Sequence, residues 1–281
     1  MPDYLVAESE SLKEREQRRQ RAGKSSGESY AATLQQMRPG ARVTRVTPAD
    51  DDAEAMPADA IARFDAVFIT GSPMHVYDET PQTRRQLDFM RTVFASGTPS
   101  FGSCAGLQVA VAAAGGRVRA MAQPMEAGIA RRITATDAGR SHPLLAGRPP
   151  AWDAPAIHTD EVDTLPPGAV LLAGNAATQV QAAEIRHDRG IFWGVQYHPE
   201  LAPGEIASAL RRQQDSLIER GLAQDAADVE AVARLLDVLQ HDSGDGVARW
   251  RLGIDDSFAD EARRRTEIEN FLHHAPQLRG G

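Results

Sequence analysis

One short motif constrains this chain more than any other feature: residues 101–108 read FGSCAGLQ and contain the only cysteine of the 281 residues. Cys104 lies between Gly102 and Gly106, with strand-like residues before it and helix-like residues after it. The spacing G-x-C-x-G is typical of a nucleophile elbow, a sharp strand-to-helix turn that needs glycine two residues to either side of the nucleophile. The motif therefore predicts an α/β fold with Cys104 at the end of a strand.

The elbow also predicts chemistry. A helix that begins just after Cys104 favours the thiolate, the reactive form of the side chain, through the positive end of the helix dipole. The N–H groups of the first helical turn, that of Ala105 among them, are available to hold a developing oxyanion. A lone cysteine is, however, more often a small buried hydrophobic residue. A second motif is needed before Cys104 is interpreted as catalytic.

The second motif ends the central part of the chain. Residues 191–197, IFWGVQY, are rich in aromatic and β-branched side chains and predict a buried strand, which Pro199 stops. His198 and Glu200 leave the end of that strand two residues apart and, on an extended path, on the same side. A catalytic histidine needs a neighbour that fixes its tautomer and orientation, and Glu200 can supply that carboxylate. A surface ion pair is the competing interpretation, but the elbow makes it less attractive.

Together these motifs resemble those of the class I, or triad-type, glutamine amidotransferases, most closely the GMP-synthetase-like branch. The third motif of that family, an early glycine-rich turn, is matched by Gly71 and Ser72, which follow the strand-like residues 66–69. The similarity spans roughly residues 4–202. It implies a Cys104, His198 and Glu200 triad, an oxyanion hole from the Gly71-Ser72 turn and Ala105, and a contact of Gln108 with the backbone part of a bound glutamine.

The activity implied by the resemblance is hydrolysis of the glutamine side-chain amide through a γ-glutamyl thioester, with ammonia delivered to a separate synthetase. The 281 residues contain no S-G-G-x-D-S loop of an ATP pyrophosphatase, so the acceptor stays open. One alternative is a γ-glutamyl peptidase or hydrolase that acts alone on a γ-glutamyl compound. The other is a regulatory homologue without activity, which the intact triad disfavours.

Composition excludes several other classes. The net charge of −8 argues against nucleic acid as the main partner, because such binding depends on Lys and Arg at phosphates. The apolar runs are too short to cross a membrane and the first residues lack a signal peptide, so we expect a cytoplasmic protein. One cysteine permits no internal disulfide. The pair His273-His274 has no matching ligands, and we expect neither a metal nor a cofactor.

The remaining pattern predicts a flavodoxin-like α/β fold: an open, mostly parallel sheet with helices on both faces and an α-helical C-terminal extension. We expect a catalytic domain over residues 1–202 and the extension over residues 203–281. Strands are predicted at residues 4–7, 41–46, 64–69, 129–133 and 170–172, and antiparallel pieces between residues 118 and 172. Helices are predicted at residues 29–37, 81–94, 107–114, 204–221, 225–240 and 257–274. The last three would either pad the core or form a homodimer interface.

Two segments leave alternatives open. Residues 13–24 hold six basic side chains and two acidic ones, which is typical of a solvent-facing helix or mobile loop. The alternative for this segment is a lid or docking arm above the sheet edge. The nearby Gly-Lys-Ser is no P-loop, because Arg18 occupies the place of its first glycine. His158 is expected in a loop near the site, either touching ligand or making a structural hydrogen bond.

Overall fold

The computed structural model describes residues 1–122 and 125–279. Its strands alternate with helices in the first half of the chain, as expected for an α/β protein. The strands are β1 (Asp3–Ala7), β2 (Arg42–Val46), β3 (Ala66–Ile69), β4 (Ser100–Ser103), β5 (Arg117–Ala120), β6 (Glu126–Ala135), β7 (Ala151–His158), β8 (Asp160–Thr164), β9 (Ala169–Gly174), β10 (Ala182–His187) and β11 (Gly190–Val195).

The helices concentrate in the first third and the last quarter of the chain. They are α1 (Leu12–Ala22), α2 (Ser26–Met37), α3 (Ala58–Ile61), α4 (Pro81–Ser96), α5 (Ala105–Ala113), α6 (Asp137–Ser141), α7 (Pro203–Arg212), α8 (Gln214–Glu219), α9 (Ala226–His241), α10 (Gly246–Leu252), α11 (Asp256–Ala259), α12 (Glu261–Arg264) and α13 (Thr266–Leu278), with a 3-10 turn at Pro143–Leu145.

Within the described residues, one sheet of nine strands has the order β2-β1-β3-β4-β11-β10-β9-β6-β7. The five strands β2, β1, β3, β4 and β11 are parallel, whereas β10, β9, β6 and β7 pair antiparallel to their neighbours. Strands β5 and β8 form a separate antiparallel pair. The predicted fold class is thus confirmed, with the antiparallel pieces at one edge of the sheet.

The sheet buries a different set of side chains on each face, because successive residues of a strand point to opposite sides. On one face Val6, Phe68 and Phe101 pack with residues of α2 and α13. On the other face Leu5 and Val67, with their neighbours, pack with residues of α4 and α5. Since all these side chains are almost completely buried, β1, β3 and β4 lie at the centre of the core, whereas β2 is an edge strand.

The C-terminal helices have two different locations. Helices α7 to α11 share a separate apolar cluster, which also contacts residues of β6 and β7. Helix α13 returns to the central sheet, where Phe271 packs edge-on against Phe68 at a ring distance of 5.4 Å. There Glu267 is fully buried and accepts hydrogen bonds from the Arg148 guanidinium and the Tyr197 hydroxyl. Helix α13 therefore pads the central core, while the division at residue 202 stays a prediction.

One glycine of the elbow can be tested by its effect on stability. A Cβ on Gly106 would lie 2.4 Å from the carbonyl oxygen of Ile69, a backbone atom that cannot move aside. We expect Gly106→Ala to lower the free energy of unfolding by about 1–3 kcal/mol, the usual cost of overpacking. The matched control is Gly246→Ala, since a Cβ there has no atom within 4 Å. Urea denaturation of both variants measures the difference, and equal midpoints would contradict the close helix–strand contact.

Candidate active site

The nucleophile elbow forms where the sequence predicts it. Strand β4 ends at Ser103, Cys104 has φ 53° and ψ −112°, and α5 starts at Ala105. Residues other than glycine rarely adopt this backbone conformation. Such strain is found most often at functional sites. The Cys104 N–H donates to the carbonyl of Val195 at 2.8 Å, which fixes the turn to the end of β11. Cys104 thereby lies at the carboxyl edge of the parallel strands.

Strand β11 brings His198 and Glu200 to the same edge. The His198 N–H donates to the carbonyl of Pro155 at 2.7 Å, and its Nδ1 is 2.7 Å from Oε1 of Glu200. The other carboxylate oxygen of Glu200 accepts a hydrogen bond of 2.9 Å from the Ser103 hydroxyl. The Cys104 sulfur lies close enough to the imidazole to act on its charge, and both side chains border one cavity. The three residues of the predicted triad are therefore brought together, although their catalytic roles stay a prediction.

The electrostatics of this cluster favour a proton on the imidazole. Burial alone disfavours the charged ring, but the Glu200 carboxylate and the Cys104 sulfur outweigh that effect and raise the pKa of His198 to about 10. A histidine with this pKa is protonated at neutral pH. The arrangement can therefore stabilise a thiolate at Cys104 and donate a proton to a leaving group.

The predicted oxyanion turn lies against the same two side chains. The Cβ position of Gly71 is 2.7 Å from Cε1 of His198 and 3.7 Å from Cβ of Cys104, so only glycine fits there. The hydroxyl of Ser72 accepts a hydrogen bond from the Met74 N–H, which shapes the turn. Ala105 is the first residue of α5, and the N–H of a first helical residue has no acceptor within its helix. Both parts of the predicted oxyanion hole border Cys104.

Two other residues that the sequence singles out, Gln108 and His158, are buried and do not line the cavity beside the triad. Gln108 is buried, and its amide donates to the carbonyl of Asp160 and to the side chain of Gln196, each at 3.2 Å. His158 ends β7 rather than lying in a loop, so that expectation is wrong. The ring of His158 is held between the Asp160 carbonyl and the Glu126 carboxylate, each at 2.9 Å. This is the structural role that we left open for His158.

The basic segment forms α1, and part of it is buried. Arg15 is only 4% exposed and pairs with Asp50 at 2.5 Å. Arg18 contacts Glu10 and Glu205, and Arg19 contacts Glu28. The expectation of a solvent-facing segment is wrong for Arg15, because the Asp50 carboxylate, 35 residues away in the chain, pairs with it in a buried position. No pattern in the sequence indicates those partners.

A cavity of about 210 Å³ connects the triad to α1 and α7. It is bordered by residues of the predicted site, namely Gly71, Ser72, Cys104, His198 and Glu200. It is also bordered by charged side chains outside the triad, namely those of Glu10, Glu14, Arg18, Glu205 and Arg212. Gln108 is not among its lining residues. The cavity therefore reaches Cys104 and His198 but not Gln108.

Sequence reasoning missed two groups at this site. Ser103 immediately precedes the nucleophile, yet its hydrogen bond to Glu200 joins positions 97 apart in the chain. Tyr30 of α2 is 1% exposed and borders the cavity beside Glu200. Burial and the nearby Glu200 carboxylate raise its pKa well above the usual range. Ser103 occupies the unspecified position before the cysteine in the elbow motif, and Tyr30 belongs to no motif, so only the tertiary structure identifies their contacts.

The described part of the chain contains neither a metal-binding cluster nor a membrane-spanning helix. Over residues 1–122 and 125–279, no group of three His, Cys, Asp or Glu side chains is arranged to hold a metal ion. In the same part of the chain, no helix combines the length and apolar character needed to cross a membrane.

Comparison with known proteins identifies the class. Residues 23–214 match the model of the family described as glutamine amidotransferase class-I, and the chain belongs to this family. A γ-glutamyl-L-1-hydroxyisopropylamide hydrolase of a Pseudomonas species is 38% identical over 221 residues, which are 76% of this chain and 73% of that protein. A glutamine-hydrolysing GMP synthase of Thermomicrobium roseum is 35% identical over 147 residues, but these are 52% of this chain and only 25% of the synthase.

Further similarities concern the fold and one component of a GMP synthase. A glutamine-hydrolysing GMP synthase subunit from Sulfurisphaera tokodaii is 30% identical over 145 residues, which are 52% of this chain and 72% of that protein. A solved glutamine amidotransferase from Thermotoga maritima superposes with a TM-score of 0.64 at 13% identity over 99% of each chain. Another from Methylobacillus flagellatus has a TM-score of 0.59 at 21% identity, over 96% of this chain and 94% of that one. At such identities the two structures show the shared fold.

Proposed function

We propose that this chain hydrolyses a γ-glutamyl amide by itself, with Cys104 as nucleophile, and that the amide carries an amine larger than ammonia. The cavity that borders Cys104 and His198 but not Gln108 is the observation that carries this proposal. The similarity to the Pseudomonas relative spans about three quarters of both chains, and the name of that relative describes hydrolysis of such a compound. We further propose a cytoplasmic location; a homodimer stays a prediction.

The chemistry follows from the geometry of the triad. The Cys104 thiolate attacks the γ-carboxamide carbon, and N–H groups of Ala105 and of the Gly71-Ser72 turn hold the oxyanion, a contribution of about 3–4 kcal/mol per donor. His198, oriented by Glu200, protonates the amine nitrogen as the C–N bond breaks. A thioester between sulfur and the γ-glutamyl group remains. Water, deprotonated by the now neutral His198, adds to it and releases glutamate and the thiolate.

The residues that border the cavity indicate what it would hold. A proton donor lies next to the leaving amine, so that amine occupies the side of Cys104 that His198 faces. The family resemblance assigns the other end, the glutamyl backbone, to Gln108, which does not line the cavity. The cavity of about 210 Å³ is several times the ~30 Å³ that one water molecule occupies in the liquid. Ammonia is about as large as water and would leave most of this volume empty.

A substrate comparison tests the proposal. We expect kcat/KM for γ-glutamyl ethanolamide to exceed that for glutamine by about tenfold or more, since a filled pocket contributes about 1–3 kcal/mol per added group. Glutamate release by the purified chain, with no second protein present, is the measurement. The Cys104→Ala variant is the blank. Faster turnover of glutamine than of every substituted amide would contradict the proposal.

Ammonia delivery to a synthetase is the second candidate, and the similarity to a GMP synthase subunit favours it. In that case a separate synthetase would accept the ammonia, and glutamine would be the substrate. Purification of the tagged chain from its host, followed by mass spectrometry of bound proteins, addresses this candidate. A bound synthetase that raises glutamine hydrolysis strongly would support delivery, whereas unchanged activity would support the hydrolase acting alone.

A further inference from the structure

One charged side chain that borders the cavity bridges two helices. Arg18 extends from α1, and its guanidinium is 3.4 Å from Oε1 of Glu205 on α7 and 3.6 Å from Oε1 of Glu10. Both distances exceed the 2.7–2.9 Å of a strong charged hydrogen bond. The Nε atom of Arg18 is buried and has no hydrogen-bond partner among the described residues. Arg18 is therefore neutralised in charge but retains capacity to donate hydrogen bonds.

The two carboxylates that face Arg18 are fixed by backbone donors. Glu10 is 5% exposed and accepts a hydrogen bond of 3.1 Å from the N–H of Ser26, the first residue of α2. Glu205 accepts one of 3.0 Å from the N–H of Ala202, which precedes α7. These contacts fix two negative charges at the wall of the cavity. They cannot turn away from an incoming ligand without losing their own hydrogen bonds.

Outside the triad, the charged side chains that border the cavity are not balanced. Glu10, Glu14 and Glu205 contribute three carboxylates, against the two guanidinium groups of Arg18 and Arg212. A leaving amine that carries a carboxylate would bring a further negative charge against this wall, and like charges in contact are strongly unfavourable. A hydroxyl group fits better, because it accepts from Arg18 and donates to either carboxylate.

We propose that Glu10, Arg18 and Glu205 form a leaving-group subsite that selects neutral, hydroxyl-bearing amines over amines that carry a carboxylate. The proposal rests on the proposed γ-glutamyl amide hydrolysis and names its substrate class. Amino alcohols would be good leaving groups, and γ-glutamyl dipeptides would be poor substrates. Helix α1 would thus determine substrate specificity. The basic pattern of residues 13–24 does not by itself identify a substrate.

A matched pair of substrates tests the subsite. γ-Glutamyl ethanolamide and γ-glutamylglycine differ essentially in a hydroxymethyl group against a carboxylate at the end of the amine. For the unmodified chain we expect kcat/KM to favour the ethanolamide by about tenfold or more. Glu10→Gln and Glu205→Gln keep the hydrogen-bond acceptor but remove the charge, and each should shift the ratio toward γ-glutamylglycine by about tenfold. Glu269→Gln, an exposed carboxylate on α13 that pairs with Arg38, is the control and should leave the ratio unchanged.

The outcomes separate this inference from the proposed function. If the chain cleaves substituted amides faster than glutamine but the two Gln variants leave the ratio unchanged, the subsite is wrong and the hydrolase stands. If both variants weaken glutamine itself as much as the ethanolamide, the cavity holds the glutamyl end and the inference fails. Circular dichroism of each variant confirms folding, and Arg18→Met, which should reduce kcat/KM for the ethanolamide more than for glutamine, gives an independent readout.

Discussion

Replacement of Cys104 by alanine should reduce kcat/KM for glutamine and for γ-glutamyl amides by about 10⁴-fold or more, because no other group in the cluster can form the thioester. The substitution adds no backbone strain, since alanine and cysteine meet the same difficulty at φ 53°. The measurement is glutamate release over long incubation. Mass spectrometry of the acid-quenched, unmodified chain should in addition detect a γ-glutamyl adduct on the peptide that contains Cys104.

The same variant has a second expected effect. The Cys104 sulfur is one of the groups that raise the pKa of His198, so its removal should lower that pKa. Nuclear magnetic resonance titration of the imidazole measures the change directly. A variant that keeps its activity, or a γ-glutamyl ester or amide adduct found on another residue, would reject the catalytic role of Cys104.

Much of the architecture was predictable because it depends on local patterns. Strands β1, β3 and β11 are rich in apolar residues, and a Cβ on the elbow residue Gly106 would lie 2.4 Å from the Ile69 carbonyl oxygen at the end of β3. The motif around His198 indicated both the end of β11 and the approach of Glu200. These signals are short-range consequences of packing and of side-chain alternation, so they are visible in a single sequence.

Other features depend on partners that are remote in the chain. The basic residues of α1 read as solvent-facing, yet Arg15 pairs with Asp50 and Arg18 with Glu205, and neither partner is in a recognisable pattern. Helix α13 reads as an ordinary amphipathic helix, and its apolar face does not reveal that Phe271 packs on the central sheet. Hydrophobic periodicity predicts that a face is buried but does not identify what covers it.

The predicted site shows the same division. Cys104, His198, Glu200 and Gly71 were found because each belongs to a motif with its own spacing. Ser103 was not, because the elbow motif does not specify the residue before the cysteine, although Ser103 donates a hydrogen bond to Glu200. The cavity between α1 and α7 could not be predicted either, because its volume arises from elements more than a hundred residues apart.

Among substitutions in and around the triad, removal of the Glu200 charge should change the pH dependence of the reaction most. In the unmodified chain the pKa of His198 is raised to about 10, so the imidazole can protonate the leaving amine up to strongly alkaline pH. In Glu200→Gln the charge that favours the imidazolium is lost, while burial still disfavours it. The pKa of His198 must therefore fall, and the alkaline limb of the kcat profile should move to lower pH by at least about one unit, with kcat/KM near neutral pH reduced by about 10²–10³-fold.

Ser103→Ala is the matched control, because it removes one hydrogen bond to the same carboxylate but leaves its charge in place. We expect a loss of about tenfold or less and a smaller shift of the alkaline limb, since a neutral donor orients Glu200 without supplying the field that acts on His198. If Glu200→Gln kept the original alkaline limb, the proton donor would be another group. If Ser103→Ala matched Glu200→Gln in both readouts, the orientation of the carboxylate rather than its charge would control the imidazole.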